Sequence, residues 1–207
     1  MERQDVQKVL DNLGVSLDPE EENDFHALLA AVHDCAEEIQ QLPDYQPVPD
    51  RARYPREGIH RPSKEEQFSG QAWAYRFLIR GTAEAGLLSG KNVCLKDVIA
   101  VADVPQLYGT DIFPAWTPTT DATVVTRVLD AGANVVGTTT CENMCHSTSS
   151  FTSAQGTIHN PFAVGYSAGG STSGGAAIVG GGLADIAIGT DQGGSIRIPS
   201  AFCGCKC

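Results

Sequence analysis

The stretch at residues 121–137, DATVVTRVLDAGANVVG, predicts a helix that leads directly into a strand. Its valines and Leu129 recur at helical spacing, and Asp121 and Gly132 stand where an N-cap and a helix terminator are expected. Residues 134–137 then form a short apolar run that is typical of a buried strand. A helix placed between buried strands is typical of an α/β fold with a largely parallel sheet.

Two further apolar runs extend this pattern along the chain. Residues 92–95 read NVCL and are bounded by Gly90 and charged side chains, and residues 184–189 read ADIAIG. Both runs have the length of buried strands and are too short for helices. We therefore expect an α/β core in which a mixed, largely parallel sheet is flanked by helices.

The first 42 residues are predicted to be helical. Apolar residues before Gly14 mark one short amphipathic helix, which the glycine ends. Asp18 can cap a second helix, because a proline suits the first turn and Glu21 stands at the capping-box position. Apolar side chains then recur at helical spacing as far as Ile39.

A proline-rich segment follows these helices. The prolines between residues 43 and 62 predict an extended linker. A third helix is expected over residues 63–80, where Glu66 stands at a capping position. The chain is thus expected to divide into a helical N-terminal region with a linker, residues 1–80, and the first part of the α/β core, residues 81–207.

The charge balance excludes some classes of partner. The chain of 207 residues carries 14 Lys and Arg against 25 Asp and Glu, which gives a formal charge of −11. That balance argues against nucleic acid, whose phosphates are bound by cationic side chains, and against an anionic membrane surface. The N-terminus has no apolar secretory core, and no run reaches the roughly 20 apolar residues of a membrane span. The expected location is the cytoplasm.

The cysteines are expected to be reduced thiols, because seven is an odd number in a chain without an export signal. The run Cys203-Gly-Cys-Lys-Cys could offer metal ligands, but its spacing is tighter than the usual zinc pattern and no histidine follows it. Cys141 and Cys145 are interpreted as packing residues, since no second pair stands at zinc-site spacing. Neither a metal nor a cofactor is expected.

Two glycine-rich motifs offer alternatives that their context argues against. Residues 165–169, GYSAG, match the G-x-S-x-G elbow of α/β-hydrolases, but a poor strand precedes Ser167 and no histidine follows to complete a triad. Residues 169–175, GGSTSGG, could form a phosphate-binding nest. They lack the Gly-Lys-Ser/Thr ending and the G-x-G-x-x-G phasing of nucleotide sites.

A further glycine pair precedes Ser195 in residues 189–199, GTDQGGSIRIP. A tight turn at the end of a strand can aim consecutive backbone N–H groups into one small space, as an oxyanion hole requires. A serine at that point needs a base that takes its proton. None of the five histidines stands in a suitable pattern, so Lys96, directly after the strand at 92–95, is the candidate base.

Three blocks of the chain stand out together, namely residues 88–97 (LSGKNVCLKD), 167–177 (SAGGSTSGGAA) and 189–204 (GTDQGGSIRIPSAFCG). All three resemble the amidase signature family. The segments between them, residues 120–143 and 157–162, are similar to the family in the same order. Together with the helical N-terminal part, the resemblance is to bacterial amidases of the type found beside nitrile hydratases.

The resemblance implies a Ser–cis-Ser–Lys triad. Ser195 matches the nucleophile, Ser171 matches the bridging serine and Lys96 matches the base, with the Gly170–Ser171 peptide in cis. A lysine base must be neutral, and its ordinary pKa is about 10.4, so burial has to lower that pKa by roughly 3 units. We therefore expect Lys96 within hydrogen-bond reach of Ser171, and Ser171 within reach of Ser195.

The same resemblance implies supporting roles for further residues. The expected oxyanion-hole donors are the backbone N–H groups of Gln192, Gly193, Gly194 and Ser195. Thr172 and Ser173 are expected to support the glycine loop by hydrogen bonds, and Ser147 stands where the family places a site hydroxyl. Asp191 and Arg197 form either a clamp on the oxyanion turn or an ordinary surface ion pair.

The expected function is hydrolysis of a carboxamide to a carboxylic acid and ammonia through an acyl-enzyme. Two alternatives stay open. One is a non-catalytic, truncated fragment, because family members are much longer than this chain. The other is the glutamine amidase subunit of a tRNA-dependent amidotransferase. The expected partner is a small-molecule amide, and a homodimer is left open.

Overall fold

The computed structural model describes residues 3–43 and 47–207. The chain divides into two compact units, residues 1–46 and residues 47–207. Across the described residues, no helix combines the length and the apolar character that crossing a membrane requires.

The first unit contains the two predicted helices, α1 (Arg3–Leu13) and α2 (Pro19–Gln40). The predicted capping box at the start of α2 is confirmed. The Asp18 carboxylate accepts the backbone N–H groups of Glu20 and Glu21, and the Glu21 carboxylate accepts the N–H of Asp18. The cap thereby satisfies N–H groups that have no partner inside the helix.

The second unit is built on a five-stranded mixed sheet. Its strands are β1 (Glu57–His60), β2 (Trp73–Ile79), β3 (Asn92–Lys96), β4 (Asn134–Thr139) and β7 (Ile186–Ile188), while β5 (His159–Asn160) and β6 (Ala163–Ser167) form a separate two-stranded sheet. The order across the large sheet is β1-β2-β4-β3-β7. β3 runs parallel to both of its neighbours, whereas β2 is antiparallel to β1 and β4. The predicted α/β class is confirmed.

Helices of the second unit cover both faces of this sheet. They are α3 (Thr123–Asp130), α4 (Ser173–Gly180) and α5 (Arg197–Phe202). Successive side chains of a strand point to opposite faces, so β3 contributes to two hydrophobic cores. Val93 and Leu95 pack in the core that contains Leu129 of α3, and Cys94 packs in the core that contains Ala177 of α4.

A glycine lets α4 approach the sheet closely. A Cβ atom on Gly174 would lie 2.3 Å from the carbonyl oxygen of Ala72 and 2.9 Å from the backbone nitrogen of Thr140. In the native glycine, the N–H of Gly174 instead donates to the carbonyl of Thr140 at 3.0 Å. The glycine-rich run therefore brings the start of α4, and the loop before it, against the ends of the strands.

The predicted helix over residues 63–80 is wrong. The N–H of Ser63 does donate to the carboxylate of Glu66 at 2.8 Å, but the turn does not continue as a helix, and the chain enters β2 instead. Pairing of β2 with β1 and β4 outweighs the local capping pattern. For the same reason the boundary between units lies at residues 46 and 47 and not at residue 80.

The predicted linker and helix cap also differ from the structure. Within residues 43–62, β1 forms the edge of the sheet, and residues 44–46 lie outside the described part of the chain.

The N-cap of α3 is Ala122 and not Asp121. Asp121 is buried, where its carboxylate accepts the N–H of Ala102 at 2.8 Å and pairs with Arg56. A long-range ion pair therefore takes the side chain that local spacing assigned to the helix.

Candidate active site

Lys96 and Ser195 are carried to the site by two adjacent strands. Lys96 is the last residue of β3. β7 lies beside β3, runs parallel to it and ends at Ile188, shortly before the turn that carries Ser195. Because parallel neighbouring strands end on the same side of a sheet, Lys96 and the Ser195 turn both lie at the edge formed by the carboxyl ends of these strands.

Lys96 is fully buried, and its amine donates to three oxygen atoms. Nζ lies 2.8 Å from Ser171 Oγ, 2.9 Å from Thr190 Oγ1 and 3.5 Å from the Thr190 carbonyl oxygen. Burial lowers the pKa of Lys96 below its ordinary value, while the nearby Cys145 and Cys141 act in the opposite direction. A buried amine whose pKa is lowered is suited to accept a proton.

The loop that carries Ser171 is held through its backbone. The Gly170–Ser171 peptide bond is cis. The carbonyl of Ser171 accepts the N–H of Glu142 at 3.2 Å, and the N–H of Thr172 donates to the carbonyl of Ser195 at 3.1 Å. These bonds tie the loop to the segment after β4 on one side and to the Ser195 turn on the other.

The second contact expected in the triad is not made in this conformation. Among the described residues, no hydrogen bond joins the hydroxyl of Ser171 to that of Ser195. Catalytic hydrogen bonds are often long before a substrate binds and shorten in the complex. The structure thus brings Lys96 and Ser171 together and links Ser195 to their loop through the backbone.

Asp191 organises the turn before Ser195. One carboxylate oxygen accepts the N–H of Gly194 at 2.7 Å, and the other accepts those of Ile196 at 2.9 Å and Arg197 at 3.2 Å. The Arg197 guanidinium binds the same carboxylate through two contacts of 2.9 and 3.1 Å. Arg197 and these N–H groups hold the pKa of Asp191 well below its ordinary value. The pair is therefore joined to the turn by backbone contacts that an isolated surface ion pair lacks.

Three of the four expected oxyanion donors remain free to bind a ligand. Within the described residues, the backbone N–H groups of Gln192, Gly193 and Ser195 have no hydrogen-bond partner. Gly194 departs from the expectation, because its N–H donates to Asp191. An amide has a single N–H, so this donor is already engaged.

These free N–H groups border a cavity of about 690 Å³. Its wall is formed by Met144, Cys145, His146, Ser147, Thr148, Gln192, Gly193 and Ser195. A volume of this size falls in the range of about 300–1,000 Å³ that is typical of small-molecule sites. Ser147 thus lies in the cavity wall, where its hydroxyl is 2.6 Å from that of Ser149.

Glu142 is a buried residue of the site that the sequence reasoning missed. One carboxylate oxygen accepts the hydroxyl of Ser173 at 3.0 Å. The other accepts the hydroxyl of Thr152 at 2.6 Å, its N–H at 3.1 Å and the hydroxyl of Ser149 at 3.3 Å. Glu142 therefore joins the serine-rich segment after β4 to the start of α4. Its signal in the sequence is a lone carboxylate within a run of Ser and Thr.

Thr172 and Thr190 differ from the expectation in opposite ways. The hydroxyl of Thr172 is buried and has no hydrogen-bond partner in the described part of the chain, so its expected side-chain contact is not formed. Thr190 was not predicted, yet it accepts a hydrogen bond from Lys96. Its signal is its position just after the end of β7, at the same edge as Lys96.

Ser167 and Cys203, which belong to two other motifs of the sequence, both make contacts with backbone carbonyls. Ser167 ends a strand of the β5–β6 hairpin, and its hydroxyl donates to the Ser149 carbonyl at 2.8 Å. A nucleophile elbow instead requires a strand, a sharp turn and a helix. Cys203 Sγ contacts the Ala168 carbonyl at 3.4 Å, and the described residues contain no group of three His, Cys, Asp or Glu that could hold a metal.

Comparisons with known proteins identify the relatives of this chain. A family model described as Amidase matches residues 68–206. An enantioselective amidase from Rhodococcus rhodochrous is 48% identical over 123 residues, which is 58% of this chain and 24% of that protein. A glutamyl-tRNA(Gln) amidotransferase subunit from Haloarcula marismortui is 46% identical over 122 residues, which is 59% of this chain and 29% of that protein.

A solved structure of an amidase is also similar to this chain. The native peptide amidase from Stenotrophomonas maltophilia matches with a TM-score of 0.52 and 38% identity, over 56% of this chain and 25% of that chain. The chain therefore spans about a quarter of the length of these proteins. Because the family match covers well over half of the chain and includes Lys96, Ser171 and Ser195, this chain belongs to the amidase signature family.

Proposed function

We propose that this chain carries the acylating machinery of a carboxamide hydrolase. The observation that carries the proposal is the 2.8 Å distance between the buried Lys96 Nζ and Ser171 Oγ, which is within reach for proton transfer between them. It lies at the edge of the sheet where the turn of Ser195 borders the cavity. A base, an intermediate hydroxyl and a nucleophile on three separate segments are what a proton relay to an acyl acceptor requires.

In the first half-reaction, neutral Lys96 accepts the proton of Ser171 while Ser171 accepts the proton of Ser195. The hydroxyls of Ser171 and Ser195 are expected to come into contact when the amide binds. Ser195 Oγ then forms a bond to the carbonyl carbon, and the carbonyl π electrons move to the oxygen. The free N–H groups of Gln192, Gly193 and Ser195 are the donors for this oxyanion.

Collapse of the tetrahedral intermediate re-forms the carbonyl and breaks the C–N bond. The proton held by Lys96 returns through Ser171 to the nitrogen, which leaves as ammonia. Water then attacks the acyl-Ser195 ester, and the same relay takes its proton, which releases the carboxylic acid and restores the serine. Each step uses only protein groups, the amide and water, so a small-molecule amide is the proposed partner and no cofactor is needed. The proposed compartment is the reducing cytoplasm, in keeping with seven free thiols.

Labelling with a fluorophosphonate probe, read by intact-protein mass, tests this proposal. We expect one adduct on the native chain and none on Ser195→Ala. Ser167→Ala is the matched control, because Ser167 is the other serine in a motif typical of nucleophiles, and it should label like the native chain. Labelling that survives Ser195→Ala but is lost in Ser167→Ala would reverse the assignment.

A second candidate function is the amidase component of a tRNA-dependent amidotransferase. It is favoured by the 46% identity to the amidotransferase subunit from Haloarcula marismortui. Turnover of simple carboxamides by the chain alone supports the first candidate. Glutamine hydrolysis that appears only with tRNA and the other components of such an enzyme supports the second. Labelling of Ser195 without turnover of any amide would favour a non-catalytic fragment.

A further inference from the structure

Two hydroxyl groups connect the buried Glu142 to the wall of the cavity beside Ser195. Glu142 is fully buried, and its Oε2 atom accepts the hydroxyl of Ser149 at 3.3 Å. The hydroxyl of Ser149 in turn lies 2.6 Å from that of Ser147, which belongs to the cavity wall. The connection therefore runs from a buried carboxylate through one serine to a second serine at the cavity.

Both carboxylate oxygens of Glu142 act as acceptors. Oε2 accepts the backbone N–H of Thr152 at 3.1 Å, a hydrogen bond whose direction cannot be reversed. The hydroxyl of Thr152 lies 2.6 Å from the same oxygen and itself accepts the N–H of Asn143 at 3.2 Å, so its own hydrogen is directed to Glu142. Oε1 accepts the hydroxyl of Ser173 at 3.0 Å. The hydrogen bonds around Glu142 thus all point toward it.

The carboxylate sets the direction of the hydrogen bonds that lead to the cavity. A serine hydroxyl has one hydrogen to donate, and Ser149 donates its hydrogen to Glu142. In the 2.6 Å contact between the two serines, Ser147 is therefore the donor and Ser149 is the acceptor. The single hydrogen of Ser147 is thus used within the protein and is not available to a ligand.

Ser147 consequently offers the cavity a hydrogen-bond acceptor. A hydroxyl oxygen has two lone pairs, and one of those on Ser147 accepts the N–H of Ser149 at 3.2 Å. In the described part of the chain, no further hydrogen bond reaches this oxygen, so its second lone pair is left for a ligand. Ser147 also lies beside the loop of Ser171, since a Cβ atom on Gly170 would be 2.8 Å from the Ser147 carbonyl oxygen.

We propose that Ser147 accepts an N–H from the nitrogen of the substrate carboxamide and thereby gives the site a preference for carboxamides over esters. This inference rests on the proposed function, in which the carbonyl oxygen binds the free N–H groups of Gln192, Gly193 and Ser195. Those groups and Ser147 belong to the wall of one cavity. The wall therefore combines donors for the carbonyl oxygen with an acceptor for the nitrogen.

An ester does not match this wall. The alkoxy oxygen of an ester has no hydrogen to donate, so at Ser147 it would place one acceptor against another, which leaves both without a partner. The hydrogen of Ser147 cannot turn toward the ester without breaking the contact with Ser149. Ser149 and Glu142 are therefore positioning residues, because they act on the substrate only through Ser147.

The test compares benzamide and methyl benzoate, which share an acyl group and differ in whether they carry an N–H donor. The protein is the Ser195→Ala chain, so that neither probe is consumed. Ligand-observed NMR titration gives the two dissociation constants, and the measured quantity is the constant for the ester divided by that for the amide. In Ser195→Ala/Ser147→Ala this ratio should fall about fivefold, which is the effect of losing one neutral hydrogen bond.

Two further variants separate the direction of the hydrogen bond from the shape of the wall. Ser149→Ala frees the hydrogen of Ser147 and leaves the wall intact, so it should lower the ratio by about twofold or more, whereas a purely steric role of Ser147 would not respond. Ser153→Ala is the matched control, because its hydroxyl contacts Gln155 and does not border the cavity. It should leave the ratio unchanged. If Ser147→Ala does not fold, Ser147→Cys, which has a similar shape and a weaker acceptor, should lower the ratio instead.

The inference is overturned if Ser147→Ala leaves the ratio unchanged or weakens both probes equally. It is also overturned if neither probe binds the Ser195→Ala chain. Fluorophosphonate labelling of Ser195 in the native chain tests the proposed function separately. Labelling without a preference for the amide rejects only the role of Ser147, whereas loss of labelling rejects the proposed function as well.

Discussion

Asp97→Asn should make the chain more stable, and the gain should grow as the pH rises. Asp97 is 1% exposed. One carboxylate oxygen accepts the N–H groups of Leu107 and Tyr108, both at 2.8 Å, whereas the other is buried and has no partner among the described residues. Burial raises the pKa of Asp97 from 3.8 to about 7, although the two N–H groups act to lower it.

The size of the effect follows from this difference in pKa between the unfolded and the folded chain. The unfolded chain releases the Asp97 proton near pH 3.8, but the folded chain holds it until about pH 7. The stabilisation from the protonated carboxyl is therefore complete below the unfolded pKa and is lost as the pH rises through the folded pKa. With about 1.4 kcal/mol per pKa unit, the native chain loses about 2 kcal/mol between roughly pH 5.5 and pH 8. The asparagine variant has no proton to lose.

Urea unfolding at these two pH values, followed by the fluorescence of the buried Trp73, measures the difference. Both pH values lie above the isoelectric point of about 4.7. The measurement therefore avoids the pH at which the chain has no net charge and is most prone to associate. The matched control is Asp111→Asn, which replaces an exposed carboxylate of the neighbouring loop. Its effect on the free energy of unfolding should differ by less than about 0.5 kcal/mol between the two pH values. The reasoning is refuted if Asp97→Asn and the native chain lose stability equally between the two pH values.

Two further pairs of substitutions test the packing around the site. Gly174→Ala should lower the free energy of unfolding by about 1–3 kcal/mol, because its Cβ would lie 2.3 Å from a carbonyl oxygen, whereas Gly175→Ala, with nearest side-chain atoms at 3.1 Å, should cost less. Thermal unfolding of both variants checks this, and an equal cost at the two positions would contradict it. Glu142→Ala should lower the free energy of unfolding by about 3 kcal/mol or more, because it leaves buried donors unpaired. Glu142→Gln should lower it by only about 1 kcal/mol, because the amide can still bond Ser173 and Thr152. Equal losses in urea unfolding would show that the hydrogen bonds of Glu142 contribute little.

The central part of the fold was predictable because its signals are local. The helix and strand of residues 121–137 follow from spacing and apolar runs, and the structure has α3 and β4 there. β2 was missed because its identity depends on pairing with β4, about 60 residues later, and not on its own capping pattern. Asp121 was misassigned for the same reason, since its partner Arg56 lies far away in the sequence.

The site shows the same division between local and long-range information. A strand before Lys96 and a glycine pair before Ser195 are local features, and they indicated the edge of the sheet where both lie. Glu142 and Thr190 contribute through contacts with residues 31 and 94 positions away, which no local pattern reports. The N–H of Gly194 is engaged by Asp191 only because of the shape of the turn.

The rate at which a fluorophosphonate labels Ser195, followed against pH in the native chain and in Lys96→Met, tests the central claim most directly. Burial lowers the pKa of Lys96 below its ordinary value of about 10.4, so the native rate should rise with pH and level off below that value. Methionine keeps the apolar stem of the side chain but cannot accept a proton, so the variant should remain folded by circular dichroism and label at least about 100-fold more slowly. A folded Lys96→Met chain that labels Ser195 at the native rate, with the native pH profile, would contradict the account.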